Sequence, residues 1–294
     1  MLPPIEFTGT MFPNVGTGVL AVNPATNQIY MSLDNNKVEA MSGFTTNVVF
    51  GAITTIPTPV DFTFAIAVNP VTDTVYIAND NNTVSAYKTT VGADGTFMNT
   101  TTITVGSDPT ATAVNPVTNM VYVLNNGNAQ VGEGSVTVID GATNTAVGTI
   151  PTGQDPVGIA VNPVTNMVFE VADTPSDVGN PALKVQYLEV IKGATHTTPA
   201  SGFTTVELAP GGYSNPYAIA VNPVTNKIYV TDSNRSLYIV DGTQISTRTP
   251  AGAETYIYDT HTAVINGSTV YPQPRGLAVN TVNNTIYVAD GYTL

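Results

Sequence analysis

The stretch AIAVNPVTNKIYV, Ala218 to Val230, recurs five more times with small changes. The copies are VLAVNPATNQIYM from Val19, AIAVNPVTDTVYI from Ala65, ATAVNPVTNMVYV from Ala111, GIAVNPVTNMVFE from Gly158 and GLAVNTVNNTIYV from Gly276. Their shared asparagines, Asn23, Asn69, Asn115, Asn162, Asn222 and Asn280, are spaced by 46, 46, 47, 60 and 58 residues. Self-similarity at such a period restricts the chain to a propeller, a solenoid or a related array, in which each unit buries its apolar face against its neighbours. A length of 294 residues would otherwise allow two domains; repeats from end to end predict one, spanning 1–294.

Each copy reads as a hairpin. Two short β-branched segments flank NPVTN, which carries Pro at the second turn position and ends on an Asn able to take positive φ. Inner hairpins are therefore expected near 19–31, 65–77, 111–123, 158–170, 218–230 and 276–288. Within the first strand, Ile219 and Val221 lie on one face and Ala218 and Ala220 on the other, because side chains alternate. Small residues on one face suit an innermost strand where sheets converge on an axis. Third strands are expected at NKVEAM, NTVSAY, GSVTVID, LKVQYLEVI and RSLYIVDG, and fourth strands at TTITVG, NTAVGTIPTG and FTTVELA. Four antiparallel strands per unit, followed by a link containing Gly or Pro, define an all-β chain and fit a β-propeller better than a sandwich.

The segment VTVIDGATNTAVGTIPTGQDPVGIAVNPVTNMVF, Val136 to Phe169, closely resembles the YVTN-type β-propeller repeat of bacterial and archaeal surface proteins, and the likeness extends over nearly the whole chain. The resemblance implies a propeller, and it leaves function open because many activities share this scaffold. Relatives of that kind usually close with seven blades, whereas six hairpins are present here. The expected architecture is a six-bladed propeller of four-stranded blades whose N-terminal strand, Ile5 to Met11, completes the last blade. That blade is one strand short: the 14 residues after Asn280 and the 23 ending at Asn23 fall about nine below the 46-residue period. A three-stranded blade, a chain continuing past Leu294, or a strand from another subunit would each account for the deficit, and an unfilled edge is a template for pairing.

Composition narrows the partners. Eight Lys and Arg against 21 Asp and Glu give a formal charge of −13, which repels phosphate backbones and anionic lipid, so nucleic acid and membrane insertion are not expected. No 20-residue apolar run or N-terminal signal pattern occurs, and an exported chain would have to be one whose signal is not in this sequence. Zero Cys excludes disulfides and thiolate metal sites. The Thr- and Asn-rich, Lys-poor surface suggests an extracellular or cell-surface location, and five Asn-x-Ser/Thr sequons, at Asn81, Asn99, Asn234, Asn266 and Asn283, are compatible with glycosylation there.

Residue types that carry chemistry are sparse. His196 and His261 both lie in variable outer segments without metal spacing, and no phosphate loop, nucleophile elbow or metalloprotease motif is present. Gly18, Phe64, Thr110, Val157, Tyr217 and Arg275 stand just ahead of the inner strands, where a channel mouth is expected. Asp108 and Asp155, two residues earlier in their links, would face Arg275 there, with Tyr217, to bind a polar ligand or a cation; the alternative is that both are ordinary turn residues. Asp173 and Asp177, in the loop ADTPSDVGN, would hold Ca²⁺ if any pair in the chain does, and no other cofactor is expected. Two insertions, around 173–182 and 243–263, break the rhythm, and Tyr256 and Tyr258 in the second are read as an extended hairpin or a subunit contact. With Ile5, Phe7, Tyr292 and Leu294 near the ends, they form the candidate assembly set.

The expected function is non-catalytic: a structural or adhesive propeller outside the cell, in a filament or surface layer through strand complementation, whose partners are further copies, other surface proteins or glycans. A propeller module binding sugar, peptide or cation is the alternative, and a lyase- or lactonase-like enzyme the third.

Overall fold

The computed structural model describes residues 19–33, 37–42, 54–57, 63–91, 97–127, 134–153, 155–175, 184–193, 204–208, 215–233, 236–243, 245, 263–265, 268–270 and 273–291. Every regular element among them is a β-strand except a single 3₁₀ residue, Ile245. Sheet 1 comprises β1 (Leu20–Asn23), β2 (Gln28–Leu33), β3 (Lys37–Ser42) and β4 (Thr54–Pro57). Sheet 2 comprises β5 (Thr63–Asn69), β6 (Thr74–Asn79), β7 (Thr83–Val91) and β8 (Phe97–Thr104). Sheet 3 holds β9 (Pro109–Asn115), β10 (Met120–Asn125), β11 (Ser135–Asp140) and β12 (Thr145–Pro151). Sheet 4 holds β13 (Pro156–Asn162), β14 (Met167–Pro175), β15 (Lys184–Lys192) and β16 (Thr204–Glu207). All four are antiparallel meanders in which each strand pairs with the next in sequence.

The last two repeats are shorter among the described residues. Sheet 5 has three strands, β17 (Pro216–Asn222), β18 (Lys227–Asp232) and β19 (Leu237–Asp241). Beyond the second insertion, β20 (Ala263–Ile265) and β21 (Ser268–Val270) pair only with each other. Sheet 6 has two strands, β22 (Gln273–Asn280) and β23 (Thr285–Gly291). The expected four strands in every unit therefore hold for sheets 1 to 4. The N-terminal strand expected over Ile5 to Met11 lies outside the described residues.

All six inner hairpins form at the predicted places, and the chemistry of the turn is visible in its backbone. The residue closing each turn is left-handed: Asn27, Asp73, Asn119, Asn166, Asn226 and Asn284 have φ between 49° and 57°. Asn and Asp tolerate this region better than other non-Gly residues. The motif Asn opens the turn by accepting from the backbone two residues on, as Asn115 Oδ1 does from Val117 N at 3.0 Å.

The core lies between sheets. Tyr30 of sheet 1 packs with Ile66 and Val68 of sheet 2, Tyr76 with Val114 and Val121, Tyr122 with Ile159 and Val161, and Phe169 with Ile219 and Val221. At these four junctions an aromatic of one sheet sits on β-branched residues of the next sheet. The small face looks the other way, and Gly158 shows why: a Cβ there would meet Ile219 Cγ2 at 3.0 Å. Burying one Val or Ile fully contributes about 1.5–3 kcal/mol, so the repeated junctions are the main favourable term. Inner strands succeed one another as neighbours in the order β1, β5, β9, β13, β17, β22.

The first insertion begins differently from the sequence expectation. Strands β14 and β15 stay paired from Met167 opposite Lys192 out to Pro175 opposite Lys184. Asp173 is therefore a strand residue, in register with Gln186, instead of the start of a loop. A run of nine residues with β-branched partners prolongs the ladder before the chain turns.

Candidate functional site

Three places carry polar chemistry, and the first is a seam of asparagines. Asn69 Nδ2 donates to Asn119 Oδ1 at 2.6 Å, Asn115 to Asn166 at 2.8 Å, Asn162 to Asn226 at 2.7 Å and Asn222 to Asn284 at 3.0 Å. The motif Asn of one sheet is thus tied to the turn-closing Asn of the next. All four donors are fully buried. Glycine at the end of the third strand makes the room, since a Cβ on Gly141 would lie 2.6 Å from Asn119 Oδ1 and 2.7 Å from Asn69 Nδ2. Gly193 and Gly242 stand equally close to Asn166 and Asn226. The latch fails once: at the junction of sheets 1 and 2 the closing residue is Asp73, Thr89 occupies the glycine position, and Asn23 Nδ2, Asp73 Oδ1 and Thr89 Oγ1 are buried without hydrogen-bond partners. The tyrosine of the second strand in sheet 2 reaches the turn between β11 and β12 of sheet 3. Tyr76 OH donates to Asn144 Oδ1 at 2.5 Å, and burial pushes Tyr30 and Tyr76 up to about 12.

The four latches tie the second to sixth turns in succession, and the residue two places after the motif Asn is exposed in each of them. Val71, Val117, Val164, Val224 and Val282 show 59 to 93% of their surface. These valines fill no core, and sequence reasoning passed over them because a single exposed valine is unremarkable. Their recurrence at one turn position was the available signal.

The second place is the expected mouth. Phe64, Thr110, Val157, Tyr217 and Arg275 are all residues at which the pairing register of the inner strand shifts. A bulge re-aims its side chain out of the ladder. On adjacent inner strands this brings Tyr217 and Arg275 together, with the guanidinium carbon 5.2 Å from the ring centroid, a cation–π stack. Asp108 and Asp155 are left-handed link residues, with φ of 54° and 48°. Asp108 is engaged in its own link: Asn126 Nδ2 donates to Asp108 Oδ2 at 3.3 Å, and Asp108 N donates to Asn82 Oδ1 at 3.0 Å. Of the four mouth residues, the structure pairs Tyr217 with Arg275.

The third place was not foreseen. Glu170 and Glu189 face each other across β14 and β15 and are buried, Glu170 completely. Sheets 2, 3 and 5 place Ile77, Val123 and Val230 where Glu170 stands, so a glutamate in a β-branched slot was the sequence signal. Glu189 Oε2 accepts from Gly153 N at 3.3 Å, as Thr137 Oγ1 accepts from Gly106 N at 3.2 Å one sheet earlier, so its carboxyl ties sheet 4 to the preceding link. Neither oxygen of Glu170 has a hydrogen-bond partner. Burial, with the Glu189 charge beside it, holds the Glu170 carboxyl well above the usual range, and burial raises Glu189 as well. Both shifts favour the protonated form of the carboxyl.

The remaining expectations divide by position. Asn81 and Asn283 are exposed on hairpin turns, as a glycosylation acceptor requires, whereas Asn99 lies within β8, opposite Tyr87. Among the described residues no group of three or more His, Asp or Glu is placed to hold a metal ion. Ile5, Phe7, Asp177, His196, Asn234, Tyr256, Tyr258, His261, Asn266, Tyr292 and Leu294 lie outside the described residues.

No protein-family model and no curated protein matches the chain. Among solved structures, a chain of hydrazine synthase from Kuenenia stuttgartiensis is similar over 97% of this chain and 99% of its own, with a TM-score of 0.54 and 16% identity. The all-β arrangement is shared along nearly the full length; at that identity the likeness concerns fold alone.

Proposed function

We propose that the chain is a non-catalytic β-propeller of the cell surface, structural and adhesive, with its six sheets as blades about one axis and no cofactor needed for its role. The YVTN-like repeats and the unbroken succession of inner strands support the architecture. The observation that carries the function is the row of exposed valines, Val71, Val117, Val164, Val224 and Val282, presented by latched turns on one edge. Folding gives no reason to keep them, since they are neither buried nor favoured by a turn, whereas a regular apolar row suits a flat contact with other surface proteins or envelope material. Adsorption of the purified chain to isolated cell envelopes, followed by quartz-crystal microbalance, tests this. Replacing all five valines by Ser is expected to lower adsorption at least tenfold with the fold unchanged by circular dichroism; equal adsorption by the two proteins would sink the reading.

The Arg275–Tyr217 stack favours a second reading, a module that holds an acidic sugar at the mouth. A carboxylated glycan would meet a guanidinium in a chain with few cations, and Tyr217 offers a face for the ring. Calorimetry with an oligouronide should then show binding that Arg275→Ala removes.

A further inference from the structure

The third strands of sheets 2 to 5 run up to the inner turns, and the charged residue at that end alternates in sign. Lys88 pairs in register with Thr74, Asp140 with Met120, Lys192 with Met167 and Asp241 with Lys227, so all four stand at one place in the repeat. The residue after each binds the turn itself: Thr89 N donates to Asp73 O at 2.8 Å, Gly141 N to Asn119 O at 2.9 Å, Gly193 N to Asn166 O at 3.0 Å and Gly242 N to Asn226 O at 2.8 Å. The four charges therefore lie on the edge that presents the valines. Lys192 and Asp241 are exposed there, and Lys88 and Asp140 are half-buried. Among the described residues this edge carries Asp73, Asp140 and Asp241 against Lys88, Lys192 and Lys227, and so is neutral in a chain whose formal charge is −13.

From this pattern we infer that the valine edge binds the same edge of a second copy, about a two-fold axis that runs between sheets 3 and 4. Such an axis sets sheet 3 against sheet 4 of the other chain, and sheet 2 against its sheet 5. Asp140 then meets Lys192 and Lys88 meets Asp241, each twice, because a two-fold contact is isologous. The charges of the turns follow the same rule, since Asp73 closes the turn of sheet 2 and Lys227 follows the turn of sheet 5. Val117 falls opposite Val164 and Val71 opposite Val224, and these four show 59 to 74% of their surface in the single chain. An axis through sheet 3 would instead set Asp140 on Asp140 and Lys88 on Lys192, like on like. Approach through a neutral edge also carries the least repulsion between two acidic chains. The inference rests on the propeller and surface reading above and deepens it, naming the partner of the valine edge as another copy held on a facing surface.

Sedimentation velocity over a concentration series tests this with charge reversals that leave the valines in place. Asp140→Lys and Lys192→Asp each turn two opposite contacts of the dimer into like ones, and each alone should weaken dimerisation by about tenfold or more. Mixed in equal amounts, the two variants should associate as the parent does, because a dimer containing one of each restores opposite charges at both places. That rescue also shows that both variants are folded, which matters because Asp140→Lys gives up the turn bond from Ala142 N. Lys88→Asp mixed with Asp241→Lys repeats the experiment at the second pair. A parent chain that stays monomeric at every concentration, single variants that dimerise like the parent, or mixtures of both pairs that fail to recover overturn the inference. Dimers that ignore the reversals, with adsorption lost in the five-valine variant, sink this inference and leave the surface reading. Dimers that follow the reversals, with adsorption indifferent to the valines, sink the surface reading alone.

Discussion

Asn162 Nδ2 donates to Asn226 Oδ1 at 2.7 Å across the boundary between sheets 4 and 5, while Asn162 Oδ1 accepts from Val164 N at 3.0 Å within its own turn. One amide therefore shapes its turn and fixes the next sheet. Both groups are removed from water, and an unmade hydrogen bond there costs more than a made one contributes. The repeat keeps Asn because no other uncharged side chain of that length offers a donor and an acceptor together.

Asn162→Ala is expected to cost about 2–3 kcal/mol, since it removes the turn bond and leaves Asn226 without its donor. Asn23→Ala removes the turn bond alone, because the Asn23 amide has no partner, and should cost about 1 kcal/mol less. Urea midpoints of the two variants check this. Equal losses would mean that the inter-sheet bond contributes nothing.

The failed latch at the first junction can be repaired. Asp73→Asn replaces a carboxyl, one oxygen of which is buried without a partner, by the amide that closes the other turns, and Thr89→Gly opens the space that Gly141 and Gly193 leave elsewhere. The double substitution should stabilise by about 1 kcal/mol, the net worth of one hydrogen bond, and raise the melting temperature by a few degrees. Thr89→Gly alone should lower it, through added backbone entropy in the unfolded chain.

Gly141→Ala drives a methyl against Asn119 Oδ1 and Asn69 Nδ2 and should cost about 1–3 kcal/mol without unfolding the chain, because sheet 2 already accommodates Thr89 at this position. In the Asn69→Ala background the same change should cost less, since the bond it disturbs is gone. A double-mutant cycle measures the difference; strict additivity would show that glycine serves some other purpose.

The folded-state values of Glu170 and Glu189 are raised, so the native state holds protons that the unfolded chain releases near the ordinary glutamate value of about 4.3. Their contribution is fully present below that value and is lost as pH rises toward the raised native values. Stability should therefore fall with increasing pH over that window. Glu170→Gln keeps the shape and removes the titrating group, and it should flatten the pH dependence. Denaturant midpoints between pH 4 and 8 decide it: parallel curves for the two proteins would mean Glu170 ionises normally.

The sequence by itself determined the elements. Six copies of the hairpin, their turns, the left-handed Asn27, Asn119 and Asn226 and the third strands were legible because they depend on local rules: side-chain alternation, proline at its turn position, asparagine where φ is positive. The mouth residues were legible as positions, though not as bulges, since a register shift depends on both strands.

Tertiary structure alone decided what the motif Asn does with its amide, because its acceptor lies 50 to 64 residues away and belongs to a different sheet. It also decided that Glu170 meets Glu189, that Tyr217 meets Arg275 and that Asp173 stays in a strand. Leu20 and Ile66 occupy the same place in the repeat, yet one is open and the other buried. Local sequence specifies a face; only a neighbouring sheet, about 10 Å away and far along the chain, specifies whether water reaches it.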